Sequence, residues 1–153
     1  MVSRENTGAV DEKYLIFSVL DKLYALPSKY VGEIVVFNTV YPLPLMPDYV
    51  MGIINRYSVP YVLFDTGVLL FKEPAHRGKM LVIKEDIDRI AFLIDDIADI
   101  TDIMKTHLSE IEQDTESCGI ADVISESFKW NNDDVFVLDI GRIINRVTKE
   151  AAG

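Results

Sequence analysis

The feature that most limits the fold of this chain is the brevity of its apolar runs. Eight segments rich in Val, Ile, Leu, Tyr or Phe punctuate it: "YLIFSVL", "LYALP", "EIVVF", "IIN", "PYVLFD", "MLVIK", "RIAFLID" and "VFVLDI", none longer than seven residues. Short runs of β-branched and aromatic residues bounded by turn residues read as strands. Their dispersal along 153 residues predicts an all-β barrel or sandwich, in one domain or in two small sub-barrels sharing a core. With 49% hydrophobic and 26% charged residues, the composition is that of a globular chain.

Local signals fill in the order of elements. Residues 1–12 are polar and without period, which predicts a disordered N-terminal tail, and regular structure begins near Tyr14. "YLIFSVL" and "LYALP" stand at hairpin spacing around Asp21-Lys22, although the turn has no Gly. Ser28 is placed to cap about one helical turn, with Gly32 as its exit. Pro42, Pro44 and Pro47 exclude regular helix or central strand and impose an extended connection, in which Pro47 starts a short turn. From Thr101 to Trp130 the pattern loosens into a long loop with one helical turn. Ile140, Ile143, Ile144 and Val147 then recur at helical spacing and predict a terminal helix seated on a barrel.

Several kinds of chemistry are disfavoured. A net charge of −10 opposes binding to nucleic acid or to anionic membranes, which need clustered Lys and Arg. A single cysteine, Cys118, provides neither an internal disulfide nor a thiol cluster and fits the reducing cytoplasm. No apolar run approaches the ~18 residues of a membrane span, and the N-terminus has no apolar signal core. His76 and His107 lack a second His or Cys at metal-ligand spacing and read as ordinary loop residues, so no metal or cofactor is expected. The run Asp114, Glu116, Cys118, Gly119 imitates a calcium loop, but a thiol at the third ligand position and Ser125 at the twelfth spoil the oxygen cage. Asp95-Asp96 closes a strand, where neighbours point to opposite faces, and reads as a turn or cap rather than an acid/base pair. Trp130 before "NNDD" reads as an aromatic packed at a turn. No nucleophile elbow or phosphate-cradling Gly loop is present, and an enzyme finds no positive support.

The segments "YLIFSVLDKLYALP", "VGEI", "PLPLMPDYVMGIIN", "VLFD", "RIAFLIDDIADI" and "VFVLDIGRII" occur in an order and spacing that resemble the CheW-like domain, the adaptor module of bacterial chemotaxis. The resemblance spans roughly Lys13 to Arg146, within a single domain expected over residues 13–148. It implies two packed five-stranded SH3-like β-barrels with short helical turns and a C-terminal helix, the internal boundary being left open. It also implies a non-catalytic scaffold in the cytoplasm, recruited to membrane-associated receptor arrays. Its partners would be the regulatory domain of the CheA histidine kinase and the cytoplasmic tip of methyl-accepting chemoreceptors.

By the same resemblance, Val31, Glu33 and Ile34 match a receptor-side segment, and Asn55, Arg56 and Tyr57 occupy the hairpin of a Gly-(Val/Ile)-Ile-Asn-Leu-Arg-Gly pattern. Here Arg56 stands in place of the Leu, Tyr57 of the Arg and Ser58 of the Gly, while Asn55 and Asp65 keep their interval. Loss of the Gly is expected to alter the turn, and a cation moved by one residue would face the other side of a regular strand. Val31 and Ile34 read equally well as core, whereas Glu33 reads as exposed. A rival reading makes the chain a small-molecule-sensing module of another two-component pathway, with its ligand between the barrels.

Overall fold

The computed structural model describes residues 11–112 and 122–152. Eleven strands are found among them: β1 (Asp11–Val19), β2 (Lys22–Pro27), β3 (Val31–Val36), β4 (Val50–Arg56), β5 (Val59–Asp65), β6 (Lys79–Ile83), β7 (Ile90–Ile94), β8 (Asp96–Met104), β9 (Ser109–Glu110), β10 (Ile124–Trp130) and β11 (Asp133–Leu138). Two helices accompany them, α1 (Thr66–Phe71) and α2 (Ile140–Ala152). None of the described helices is long and apolar enough to cross a membrane.

The strands form two sheets, with orders β8-β1-β2-β11-β10-β9 and β3-β6-β7-β5-β4. The chain opens in the first sheet, builds the whole second sheet, and returns. In each sheet the two end strands are consecutive in sequence: β8 meets β9 through a 3-10 turn at Lys105–His107, and β3 leads to β4 through the Pro-rich segment. That arrangement is consistent with the two expected barrels, with the two-residue β9 as a sixth strand of the first.

β1 ties the sheets together. Leu15, Phe17 and Val19 enter the main core with Leu63, Leu81, Phe92 and Ile94 of the second sheet, while Tyr14 and Ile16 enter a smaller core with Ile103, Phe128, Val135 and Val137. A strand with both faces buried reads as a continuous apolar run, and "YLIFSV" is one. Three hairpin turns place two residues each at positive φ: Leu20 and Asp21, Tyr57 and Ser58, Asn131 and Asn132. This is the mirror-image turn whose twist matches that of paired strands. The first hairpin therefore turns at Leu20-Asp21, one residue before the expected pair.

Several expectations need correction. The first strand begins at Asp11, so Asp11 and Glu12 belong to β1 and not to a tail; residues 1–10 lie outside the described residues. Ser28 is the first residue of a 3-10 turn and caps nothing, Pro27 holding the cap position. Among its described residues the region after Thr101 is largely regular, holding the end of β8, the 3-10 turn, β9 and β10, and residues 113–121 lie outside the described residues. In β8 and β10 the regularly placed Asp, Glu, Ser and Lys hide the β alternation, because only Ile103, Ile124 and Phe128 are buried there. α1 was also unforeseen; Asp65 caps it by accepting the Val68 N–H at 3.2 Å and ties down the following loop through Ala75 N–H at 3.0 Å.

α2 lies across both sheets. Ile143 is buried in the main core, with Ile140, Ile144 and Val147 against it. The Arg142 guanidinium donates to the carbonyls of Ile124 (2.6 Å) and Ile111 (3.1 Å), while that of Arg146 lies 5.0 Å over the Tyr49 ring. Asp95, at the crossing from β7 to β8, accepts Leu20 N–H at 2.8 Å and His76 N–H at 2.8 Å, so it pins a turn of one sheet to a loop of the other.

Because neighbouring residues of β1 serve different cores, Leu15→Ala and Ile16→Ala should each destabilise the protein by about 2–5 kcal/mol in urea unfolding. A neutral result for either one would mean that β1 has one wet face.

Candidate functional site

The hairpin tip lies where the ends of the five-stranded sheet meet. β4 and β5 pair through Asn55↔Pro60 and Arg56↔Val59, leaving Tyr57 and Ser58 as the turn. Ahead of it, Gly52 has φ +147°, and a Cβ there would fall 2.2 Å from the Tyr41 carbonyl oxygen. Only glycine allows the Pro-rich segment to approach so closely, and the Tyr41↔Ile53 bridge follows from that contact.

Across the gap between the end strands, Arg56 Nε donates to Glu33 Oε1 and Nη2 to Glu33 Oε2, both at 2.8 Å. The two side chains are 27% and 28% exposed. This fork-to-fork pair is the strong form of an Arg–carboxylate contact. The hydrogen bonds from Arg56 hold the Glu33 carboxyl below the ordinary carboxylate range. The Arg56 guanidinium also lies 5.2 Å from the centroid of the Tyr57 ring. Tyr57 itself is 85% exposed.

The six residues expected on the receptor side thus separate. Glu33, Arg56 and Tyr57 come together at the tip. Val31 is half-buried against the main core, whereas Ile34 is 40% exposed and is not core. Asn55 is exposed, one position along the strand from Arg56. Glu33 is half-buried in its ion pair and not the free surface charge expected, because Arg56 reaches it from the facing strand. The absence of Gly leaves a two-residue turn in which Tyr57 and Ser58 take positive φ (52° and 67°).

Beside the tip runs an open groove of about 850 Å³, lined among others by Gly32, Glu33, Tyr57, Tyr61, Lys84 and Arg89. Sequence reasoning missed Tyr61, Lys84 and Arg89. Tyr61 stands on β5 of the same hairpin, but no spacing links Lys84 and Arg89 to the tip; the β6–β7 connection reaches it only because β6 pairs with β3 and β7 with β5. A second cleft, about 610 Å³, lies between the sheets, with Tyr14, Glu126 and Val137 on one side and Ile87 and Asp88 on the other. Burial, then the carboxylate of Glu12, pushes the Glu126 carboxyl up, and burial does the same to the Tyr14 phenol.

Elsewhere, His76 Nδ1 sits 3.1 Å from Asp95 Oδ2, and His107 ends a 3-10 turn. Asp95 and Asp96 have separate partners, Asp96 engaging Lys79 and the Ile97 N–H. Trp130 ends β10 and packs on the smaller core. Among the described residues no group of three His, Cys, Asp or Glu could hold a metal ion; Asp114, Glu116, Cys118 and Gly119 lie outside them.

Comparison with known proteins finds both a family and similar solved structures. The family model described as CheW-like domain matches residues 13–148. The crystal structure of the scaffolding protein TtCheW from Thermoanaerobacter tengcongensis superposes with a TM-score of 0.75 at 13% identity, covering 91% of each chain. No curated protein matches.

The Glu33–Arg56 pair has a pH signature. The Glu33 carboxyl is held low in the fold, so its contribution is fully present above the unfolded carboxylate pKa of ~4.3 and is lost as pH falls through the lower folded value. A double-mutant cycle with Glu33→Gln and Arg56→Ala should give a coupling of roughly 0.5–1 kcal/mol at neutral pH, vanishing in acid. A coupling that persisted at pH 2 would show that the contact is not ionic.

Proposed function

The chain belongs to the CheW-like domain family, and on that basis we propose that it is a non-catalytic adaptor of bacterial chemotaxis. In this reading it joins the regulatory domain of a CheA-type histidine kinase to the cytoplasmic tip of methyl-accepting chemoreceptors. It would work in the cytoplasm, at membrane-associated receptor arrays. The observation that carries the receptor half is the exposed Tyr57 beside an open groove at the meeting of the sheet ends. A large amphipathic ring over a rigid base is the residue type found most often among interface hot spots. Arg56 is engaged with Glu33, which supports a role beneath the contact instead of in it. Val31, Ile34 and Asn55 complete the proposed surface, with Ile34 as its exposed apolar member.

The cleft between the sheets favours a second reading, a small-molecule-sensing module, because it sets apolar walls such as Val137, Ile140 and Ile144 beside carboxylates such as Glu12 and Glu126 at a junction. A thermal-shift screen of metabolites tests it; saturable stabilisation lost on Ile144→Trp would support it.

For the adaptor, calorimetry with the kinase regulatory domain and with a receptor-tip fragment is the direct test. Tyr57→Ala should leave kinase binding and the melting temperature unchanged and weaken receptor binding by ~1–2 kcal/mol or more. Unchanged receptor affinity would remove the tip from the interface.

A further inference from the structure

The six-stranded sheet ends on β8, whose one strand neighbour among the described residues is β1. The register skips Ala98 between Phe17↔Ile97 and Ile16↔Asp99, so the amides pointing away from β1 change parity there. Ile97 N–H donates to Asp96 Oδ1 at 2.8 Å and Ile100 N–H to Asp99 Oδ1 at 2.7 Å. Alternation carries the outward set on to Asp102. Two amides of this open edge are therefore held by carboxylates of their own strand, in the places where a further strand would put carbonyl oxygens.

The edge is acidic and partly apolar. "DIADITDIM" has three aspartates and no cation; Asp96 engages Lys79, Asp102 lies 3.3 Å from Lys13, and Asp99 has no cation within ion-pair distance among the described residues. Ile100 is 51% exposed, and Met104 is also exposed. Charged side chains on a free edge ordinarily discourage pairing. Here the charges are all of one sign, so they discourage some partners and not others. A second copy of β8 would set aspartates against aspartates.

We infer that β8 is a docking edge for an extended cationic segment of another protein, one in which Lys or Arg alternates with apolar residues. The incoming carbonyls replace the carboxylates on the Ile97 and Ile100 amides. The released Asp96 and Asp99 then pair with the cations on one face, while the apolar side chains cover Ile100 on the other, where Asp102 keeps Lys13. This surface is separate from the Tyr57 groove, and the inference does not depend on the proposed receptor contact.

The test uses the full chain at low ionic strength with three short peptides: alternating Lys and Val, alternating Glu and Val, and the Lys–Val peptide N-methylated along one edge so that it cannot form a ladder. Saturable binding of the Lys–Val peptide alone, by anisotropy, together with slowed amide exchange at Ile97, Ile100 and Asp102, is the expected result. Changing Asp96 and Asp99 together to Asn should weaken that binding by about tenfold or more. A parallel melting curve for this variant establishes that it is folded; if it is not, Asp99→Asn alone, with a smaller loss, replaces it. Absence of binding, equal binding of the N-methylated peptide, or protection away from β8 would each overturn the inference.

Discussion

The whole arrangement depends on β1 being buried on both faces. Tyr14 and Ile16 on one side, Leu15, Phe17 and Val19 on the other, belong to separate cores, and β2 and β11 continue the division through Ala25, Val135 and Val137 against Tyr24, Leu26 and Leu138. A strand that faced water on one side could serve only one barrel. With two buried faces, the first sheet becomes the wall on which the second is built. Each fully buried side chain of this kind contributes roughly 1.5–3 kcal/mol of hydrophobic stabilisation, so slippage by one residue, which would exchange every side chain between the cores, is strongly resisted.

Joining the ends of each sheet is a separate problem, solved by different means. The ends of the first are joined by the chain itself, through the short turn from β8 into β9, but the two strands do not pair, which leaves β8 an open edge. Those of the second are not joined so directly, because thirteen residues intervene between Val36 and Val50; there Gly52 admits the Pro-rich segment against β4, and the Glu33–Arg56 pair spans the gap. α2 then fastens the two halves, Arg142 reaching the Ile124 carbonyl of β10 and Arg146 the ring of Tyr49 just ahead of β4.

What could be read in the sequence follows from this division. Strands buried on both faces, or beside such strands, are continuous apolar runs, and β1, β2, β5, β6, β7 and β11 stand out for that reason. β8 and β10 are buried at only one or two positions each, and their acidic and hydroxyl residues look like a loop. α1 is six residues long, too short for a helical period to emerge, and its capping Asp65 also reads as the end of a strand. At the site, the hairpin and its altered tip were legible because turn residues act locally. The partnership of Glu33 with Arg56 was not, since it joins residues 23 apart through a sheet order that no local pattern encodes.

The same geometry gives Arg56 and Tyr57 different availability to the partner proposed for the tip. A partner using Arg56 as a free cation would first have to break a half-buried bidentate pair, leaving Glu33 without its hydrogen bonds, and truncating one member of such a pair costs more than the pair itself contributes. A partner using Tyr57 breaks nothing: the ring is already outside, lies over the guanidinium, and has its backbone fixed in a two-residue turn. Less ordering is then needed on association, and rigidity of that kind favours affinity. The arginine at position 56 thus holds the sheet ends together through Glu33, and the exposed ring of Tyr57 lines the groove beside it.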